Sequence, residues 1–451
     1  MRIGIRVDAS YQIGTGHVMR CLALAEELRR KDTEVVFVCR EHPGHLCEII
    51  QERSFKVLRL KESTDRTKEW DLDSGNSSDE APAHSKWLGT DQNRDVIYTR
   101  EVLQKELPLD WIIVDHYALD QRWESQMRES SARIMVIDDL ADRRHDCDLF
   151  LDQNYFQGAE ERYAGLLPEK CQMLLGPWYA LLRPEFRRAR EFCSMRGGGV
   201  ARVLIYFGGS DVHNLTGLAL QAMNCPQLSH LLVDMVAGAN NQNLEELQRE
   251  ADKRPGTRLH VQPEGFPELL LRADLCIGAG GATSWERLCL GLPAIVISVA
   301  ENQEKCMADL DRDGYVDWLG RREDVGVQDI RDAVQRQILW SRDLTGPGFE
   351  LVDGLGAVRV AFIIVEEDSG GRGRQKKEVG LKRRSEVGSR KSGGRGRQKK
   401  EVRSRKSDVG KRGKRKAEEG SRRSGVSWDA GIKKMLGCWN AGMKNNAGML
   451  G

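Results

Sequence analysis

The sequence predicts an α/β protein of two doubly wound, Rossmann-like domains facing a cleft, followed by a basic C-terminal tail. Three observations carry this reading. Apolar, β-rich runs alternate with helix-period segments through the first 365 residues. Several of those runs end in glycine turns that open a helix, as at Gly14–His17, Gly208–Asp211 and Gly278–Glu286. After Asp368 the apolar content collapses.

In the first half the runs are Arg2–Asp8, Glu34–Cys39, Trp111–His116, Ile134–Asp139 and Leu149–Asp152. In the second they are Val203–Phe207, Leu231–Val236, Leu259–Val261, Leu275–Gly278 and Ala294–Val299. Fully apolar strands between helices imply parallel sheets covered on both faces. The expected domains are 1–190 and 200–366, with Arg196-Gly197-Gly198-Gly199 as the linker signal, and a tail over 369–451. Residues 62–93 are polar and Ser/Asp-rich with little periodicity, which predicts a long loop or insertion.

The tail carries 26 Lys and Arg against 7 Asp and Glu, whereas the whole chain is nearly neutral at +2. Its Gly-Gly-Arg-Gly-Arg-Gln-Lys-Lys-Glu-Val segment occurs at Gly370–Val379 and again at Gly393–Val402. Such composition cannot bury a core and predicts disorder. Any nucleic-acid partner would be held through this tail. Truncation after Asp368 is therefore expected to leave the melting temperature and catalysis nearly unchanged. It is also expected to abolish any salt-sensitive nucleic-acid retention; a large loss of stability would overturn this.

Eleven cysteines are scattered singly, without a CxxC pair or zinc-ligand spacing. They read as reduced thiols of a cytoplasmic protein. Charged Arg2, Arg6 and Asp8 interrupt any signal-peptide pattern. No run reaches the roughly 20 apolar residues of a membrane span. The acids of Asp138-Asp139 and His145-Asp146-Cys147-Asp148 invite a metal, but no third cluster has ligand spacing, and the expectation is no metal and no cofactor.

The most informative stretch is Gly14-Thr15-Gly16-His17, between an apolar run and a helix-period segment. Gly14 and Gly16 allow a tight turn and close approach of a ligand. The helix start suits a phosphate or a developing negative charge. His17 lies where loop becomes helix, and an imidazole there can take a proton from water. In the second half Gly208, Gly209, Ser210 and Asp211 form a similar turn. Gly281, Ala282, Thr283 and Ser284 offer backbone N–H groups for a diphosphate. Glu286, one turn on, is a bidentate acceptor for ribose hydroxyls, or a plain N-terminal carboxylate. Asn302 and Gln303 follow a strand and can orient a sugar hydroxyl or water, or Asn302 can cap the helix.

Together these pieces resemble the UDP-2,4-diacetamido-2,4,6-trideoxy-β-L-altropyranose hydrolases of pseudaminic acid biosynthesis. The resemblance rests on Arg6–Ser10 with Ile13–Leu22, Val114–Asp120, Ile137–Arg143, Leu175–Phe186, and the turns at Gly208–Asp211, Gly280–Glu286 and Glu301–Gln303. It runs in order from Met1 to about Ala361. Trp87-Leu88-Gly89 and Asp353–Ala357 also look like family segments. The family is similar in fold to GT-B glycosyltransferases, including the peptidoglycan N-acetylglucosaminyl transferase.

The resemblance implies His17 as the base that activates water, with Tyr117 and Asn302 lining the sugar and water site. It implies Glu286 on the ribose, the Gly281–Ser284 turn on the diphosphate, and a monomer that uses UDP-sugar and water without metal. UDP and the free sugar would be released with inversion at C1. Rival readings are a GT-B glycosyltransferase, a spore-coat polysaccharide homologue acting on another nucleotide sugar, and a basic-tailed binding protein on an inactive scaffold.

Overall fold

The computed structural model describes residues 1–61, 82–193, 199–340 and 348–366. The basic tail and most of the Ser/Asp-rich stretch lie outside the described residues.

The first sheet contains β1 (Arg2–Val7), β2 (Glu34–Arg40), β3 (Lys56–Leu60), β4 (Leu109–Asp115), β5 (Ser131–Ile137), β6 (Leu149–Asp152) and β7 (Gln172–Leu175). Their order is β3-β2-β1-β4-β5-β6-β7. The second sheet contains β8 (Arg202–Tyr206), β9 (Leu232–Ala237), β10 (Thr257–Val261), β11 (Leu275–Ala279), β12 (Ala294–Ser298) and β13 (Asp317–Arg321). Their order is β10-β9-β8-β11-β12-β13. Every pairing is parallel. Both sheets are doubly wound, as the alternating runs predict. In each, the strand order reverses once, between β1 and β4 and between β8 and β11. Ligands of such sheets bind outside the carboxyl ends of the strands at that reversal.

Strand residues alternate between two cores on each sheet. On β4, Trp111 and Ile113 join Ile3, Ile5 and Leu24, whereas Ile112 and Val114 join Val36, Val38 and Trp123. On β11, Cys276 lies with Leu204 and Val296, whereas Leu275 and Ile277 lie with Val203 and Ile297. Each such side chain contributes roughly 1.5–3 kcal/mol when fully buried. Burying both faces explains why the central strands read as continuous apolar runs.

Three strands escape the sequence reading: β3, β7 and β13. Each lies at a sheet edge. Lys56, Gln172 and Arg321 are exposed, so the apolar pattern is diluted.

The two halves exchange segments. Phe156, Ala180, Leu182, Phe186 and Ala189 pack into a core of the second sheet with Leu270, Trp285 and Leu288. In return, a helix over 356–366, grouped with the second half in the sequence reading, places Ala357, Val360, Ala361 and Ile364 into a core of the first sheet. The crossing is tight: a Cβ on Gly356 would lie 2.2 Å from the Ala180 carbonyl oxygen. Arg190 ties the passage by donating to the carbonyls of Cys289 (2.6 Å) and Val352 (3.1 Å).

Candidate active site

The chain leaves β1 into a loop closed by Gly14 N–H donating to the Ser10 carbonyl at 2.9 Å. Ser10 Oγ also accepts from the Ile13 N–H at 2.9 Å. Gly14 has φ +81°, which a side chain would strain. Helix Gly16–Arg29 follows, without a side-chain cap. No atom lies within 4 Å of where a Cβ would stand on Gly14 or Gly16, so both border open space. His17, in the first turn, is 8% exposed.

Adjacent strands place the partner of His17. Val7 at the end of β1 pairs with Asp115 at the end of β4. The loop from β1 then sets His17 Nδ1 2.6 Å from Asp115 Oδ1. Arg20, one helical turn after His17, grips the same carboxylate through Nε (2.7 Å) and Nη2 (2.6 Å). Burial alone would raise the Asp115 pKa; Arg20 and His17 outweigh it and hold the carboxyl well below the usual range. An ionised Asp115 accepts a proton-bearing Nδ1, which leaves Nε2 as the basic nitrogen. Neither Asp115 nor Arg20 figures in the sequence-based assignment. The signal was present, since a parallel β1–β4 neighbour relation puts the Asp115-His116-Tyr117 run beside the glycine loop.

Tyr117 meets His17 edge to face, with ring centroids 4.6 Å apart. Its hydroxyl donates to Asp139 Oδ1 at 2.6 Å, and Asn154 Nδ2 donates to the other oxygen at 2.7 Å. Burial, reinforced by Asp139, pushes the phenol well above its ordinary pKa. The acids that invited a metal each have another partner. Asp138 pairs with Arg143 and Asp146 with Arg128, and Glu124 meets His145. Among the described residues no group of three or more His, Cys, Asp or Glu is arranged to hold a metal ion.

Trp87, on a 3₁₀ turn over Ser85–Leu88, and His84, which precedes that turn, also reach this site from within the stretch read as an insertion. Trp87 stacks on Tyr117 with centroids 5.9 Å apart, and His84 lies 4.3 Å from Trp87 and 5.6 Å from Tyr117.

Below the site lies a fully buried ion network. Asp95 accepts from Arg6 Nε (3.1 Å) and Nη2 (2.9 Å), Arg40 Nη2 (2.7 Å) and Trp123 Nε1 (3.0 Å). Asp8 accepts from Arg6 Nη1 (2.6 Å) and the Arg40 N–H (2.7 Å). His116 Nε2 lies 3.1 Å from Asp8. The network thus ties β1, β2 and the strand end that carries Tyr117.

In the second half, Gly209 and Ser210 are exposed after β8, whereas Asp211 is turned inward. Its carboxylate accepts from the N–H groups of Leu215 (3.0 Å) and Thr216 (2.8 Å), so it caps helix Leu215–Met223 instead of offering itself to a ligand.

The Gly280–Glu286 turn shows a similar division. Ala282 is exposed, and Gly281 and Thr283 are half-buried. Ser284 is fully buried: its N–H donates to the Gly281 carbonyl at 2.9 Å, and its hydroxyl accepts from Arg287 Nη2 at 2.9 Å. Both polar groups of Ser284 are therefore engaged within the protein. Gly278 is required by close packing, because a Cβ there would lie 2.4 Å from the Tyr206 carbonyl oxygen.

Glu286 lies 3.6 Å from Arg183, and the residue before its helix, Ala282, makes no side-chain cap. It is thus not part of a capping box. Burial pushes its pKa up to about 7, against Arg183 and Arg287. Gln303 accepts from the Val299 N–H at 3.0 Å and reaches within 3.6 Å of a Cβ on Gly281. Asn302 is exposed in the first turn of helix Glu301–Arg312, and the residue before that helix is Ala300, so Asn302 is not its cap. Among the described residues no hydrogen bond joins Asn302 to His17 or Tyr117.

No family model matches the chain. The chain is 28% identical over 318 residues to the UDP-2,4-diacetamido-2,4,6-trideoxy-beta-L-altropyranose hydrolase of Campylobacter jejuni, covering 70% of this chain and 98% of that protein. It is 24% identical over 371 residues to the spore coat polysaccharide biosynthesis protein SpsG of Bacillus subtilis, covering 81% of this chain and 98% of that one. Among solved structures, MurG of Acinetobacter baumannii superposes with a TM-score of 0.54 at 13% identity, over 81% of this chain and 99% of that one. A glycosyltransferase of kitacinnamycin superposes with a TM-score of 0.55 at 16% identity, over 81% of this chain and 98% of that one. The fold is that of the GT-B proteins. Among the described residues no helix is long and apolar enough to cross a membrane.

Proposed function

We propose that this protein hydrolyses a UDP-sugar to UDP and the free sugar, with inversion at C1. The observation that carries the proposal is the His17–Asp115 pair, a fixed-tautomer base at a glycine loop that borders open space. His17 Nε2 takes a proton from water as the water oxygen bonds to C1. The bond from C1 to the phosphate oxygen breaks on the opposite face, and its electron pair leaves with UDP. Asp115 and Arg20 hold the imidazole in place. The N–H groups of Ala282 and Thr283 are assigned to the diphosphate, and Glu286 to the ribose. UDP needs anion stabilisation more than it needs an acid. The proposed substrate is UDP-2,4-diacetamido-2,4,6-trideoxy-β-L-altropyranose, supported by the likeness to the Campylobacter enzyme across nearly all of that protein.

The deciding experiment incubates the full chain with candidate UDP-sugars, with and without sugar acceptors, and follows UDP and free sugar by NMR. Free sugar released at the same rate without acceptor supports hydrolysis. Turnover that requires an acceptor would make the protein a transferase.

The Glu286 assignment has its own test. Only the ionised carboxylate accepts hydrogen bonds from both ribose hydroxyls. With its pKa pushed up to about 7, affinity for a UDP-sugar should rise as Glu286 loses its proton. The rise should span about pH 6 to about pH 8. In Glu286→Gln the dependence should vanish and KM should increase with little change in kcat. A pH dependence that persists in Glu286→Gln would remove Glu286 from the ribose site. A UDP-sugar suits this test because its diphosphate diester does not titrate near neutrality.

A further inference from the structure

We infer that His84 and Trp87, with Tyr117, form an aromatic wall of the sugar subsite. This wall selects hexoses in which methyl and acetamido groups replace hydroxyls. The inference rests on the nucleotide-sugar reading above and adds the residues that set its substrate class.

The turn that carries the two rings is firmly anchored. Leu88 is buried in the core with Val36, Val38 and Leu60. Gly89 closes the turn at φ +69°, and a Cβ there would stand 3.0 Å from His42. Asp91 then caps helix Gln92–Leu103 by accepting from the Arg94 N–H at 2.9 Å. That helix carries Asp95 into the buried ion network. Yet the residues presented at the tip of this anchored segment are only half-buried aromatics. They continue the line of rings that begins at His17: His17 to Tyr117 at 4.6 Å, Tyr117 to Trp87 at 5.9 Å, and Trp87 to His84 at 4.3 Å.

The chemistry of this wall is selective. A ring face packs well against methyl and C–H groups. It offers no hydrogen bond to a hydroxyl, and a hydroxyl desolvated without a partner costs about 1–3 kcal/mol. The Tyr117 hydroxyl already donates its proton to Asp139. Burial lowers the pKa of His84, with Arg143 and His17 acting in the same sense and Asp142 and Asp138 against it, so the wall is neutral. A sugar with a methyl at C6 and acetamido methyls gains apolar contact here. A primary hydroxyl at C6 loses water against these ring faces and regains a hydrogen bond only where it meets a ring-edge N–H or lone pair.

The test compares wild type, Trp87→Ala, Trp87→Phe and His84→Ala in the full chain. Calorimetry measures the binding of UDP, UDP-2,4-diacetamido-2,4,6-trideoxyhexose and UDP-N-acetylglucosamine, with hydrolysis followed in parallel. Trp87→Ala should lose about 10-fold or more in kcat/KM for the deoxy sugar, chiefly through KM. Its preference over UDP-N-acetylglucosamine should narrow while UDP affinity stays unchanged, and Trp87→Phe should retain most of the preference. An unchanged preference in folded Trp87→Ala, or an equal loss for UDP alone, overturns the wall. If wild type hydrolyses neither sugar the hydrolase reading fails, but the binding comparison still decides whether these rings touch the sugar.

Discussion

His17→Ala is expected to lower kcat by about 10²- to 10⁴-fold while UDP affinity changes little. The His17 imidazole, at the glycine loop, has both an orientation fixed by Asp115 and a ring-nitrogen lone pair. Its Nδ1 is engaged by Asp115, so Nε2 is the nitrogen for water. UDP is assigned to the other half of the molecule, which the substitution does not touch. Asp115→Asn should also reduce kcat, because an amide can present its NH2 to Nδ1 and favour the wrong tautomer. Measuring kcat and UDP inhibition in both variants separates catalysis from binding. Hydrolysis by folded His17→Ala within a few-fold of wild type would exclude His17 as the base.

The largest expected effect on stability belongs to Asp95→Ala. This change leaves Arg6 and Arg40 without the carboxylate that both of them grip. Removing one partner of a buried ion pair costs about 3–5 kcal/mol. Arg6, Arg40 and Asp95 are all fully buried, so water cannot take over. Chemical denaturation should show the loss directly. In the folded protein, burial raises the Asp95 pKa and the Arg6 and Arg40 charges more than offset this, so the carboxylate stays ionised to lower pH. The difference between wild type and variant should therefore be full above the unfolded carboxylate pKa of about 3.9. It should shrink as pH falls toward the folded value. A loss under about 1 kcal/mol would mean that the cations repack or reach water.

The sequence carries the architecture where burial is complete and loses it where burial is partial. Central strands such as β4, with Trp111, Ile112 and Ile113 all fully buried, are legible as apolar runs. The edge strands β3, β7 and β13 mix apolar and exposed polar residues and are not. The helix starts at Gly16, Leu215 and Thr283 fall within a residue or two of where the glycine turns predict them. Side-chain direction is harder to read. Ser284 and Asp211 sit in the expected turns but face inward, because the fold uses their polar atoms to satisfy its own backbone and Arg287. Asp115 and Arg20 belong to His17 only once β1 and β4 are neighbours, which is a long-range fact. His84 and Trp87 were hidden by the polar stretch before them, although Trp87-Leu88-Gly89 carried a trace of pattern.

The reciprocal exchange of segments bears on how chains of this fold can be recombined. Phe156 and Phe186 complete the core under the second sheet, and Val360 and Ile364 complete one under the first. A chimera made to accept a different nucleotide therefore cannot be spliced once, at the glycine-rich link. It needs the donor of the second half to bring its own counterpart of residues 155–190, or an interface redesigned to fit Phe156 and Phe186. The helix over 356–366, by contrast, should travel with the first half although it follows the second sheet in the sequence.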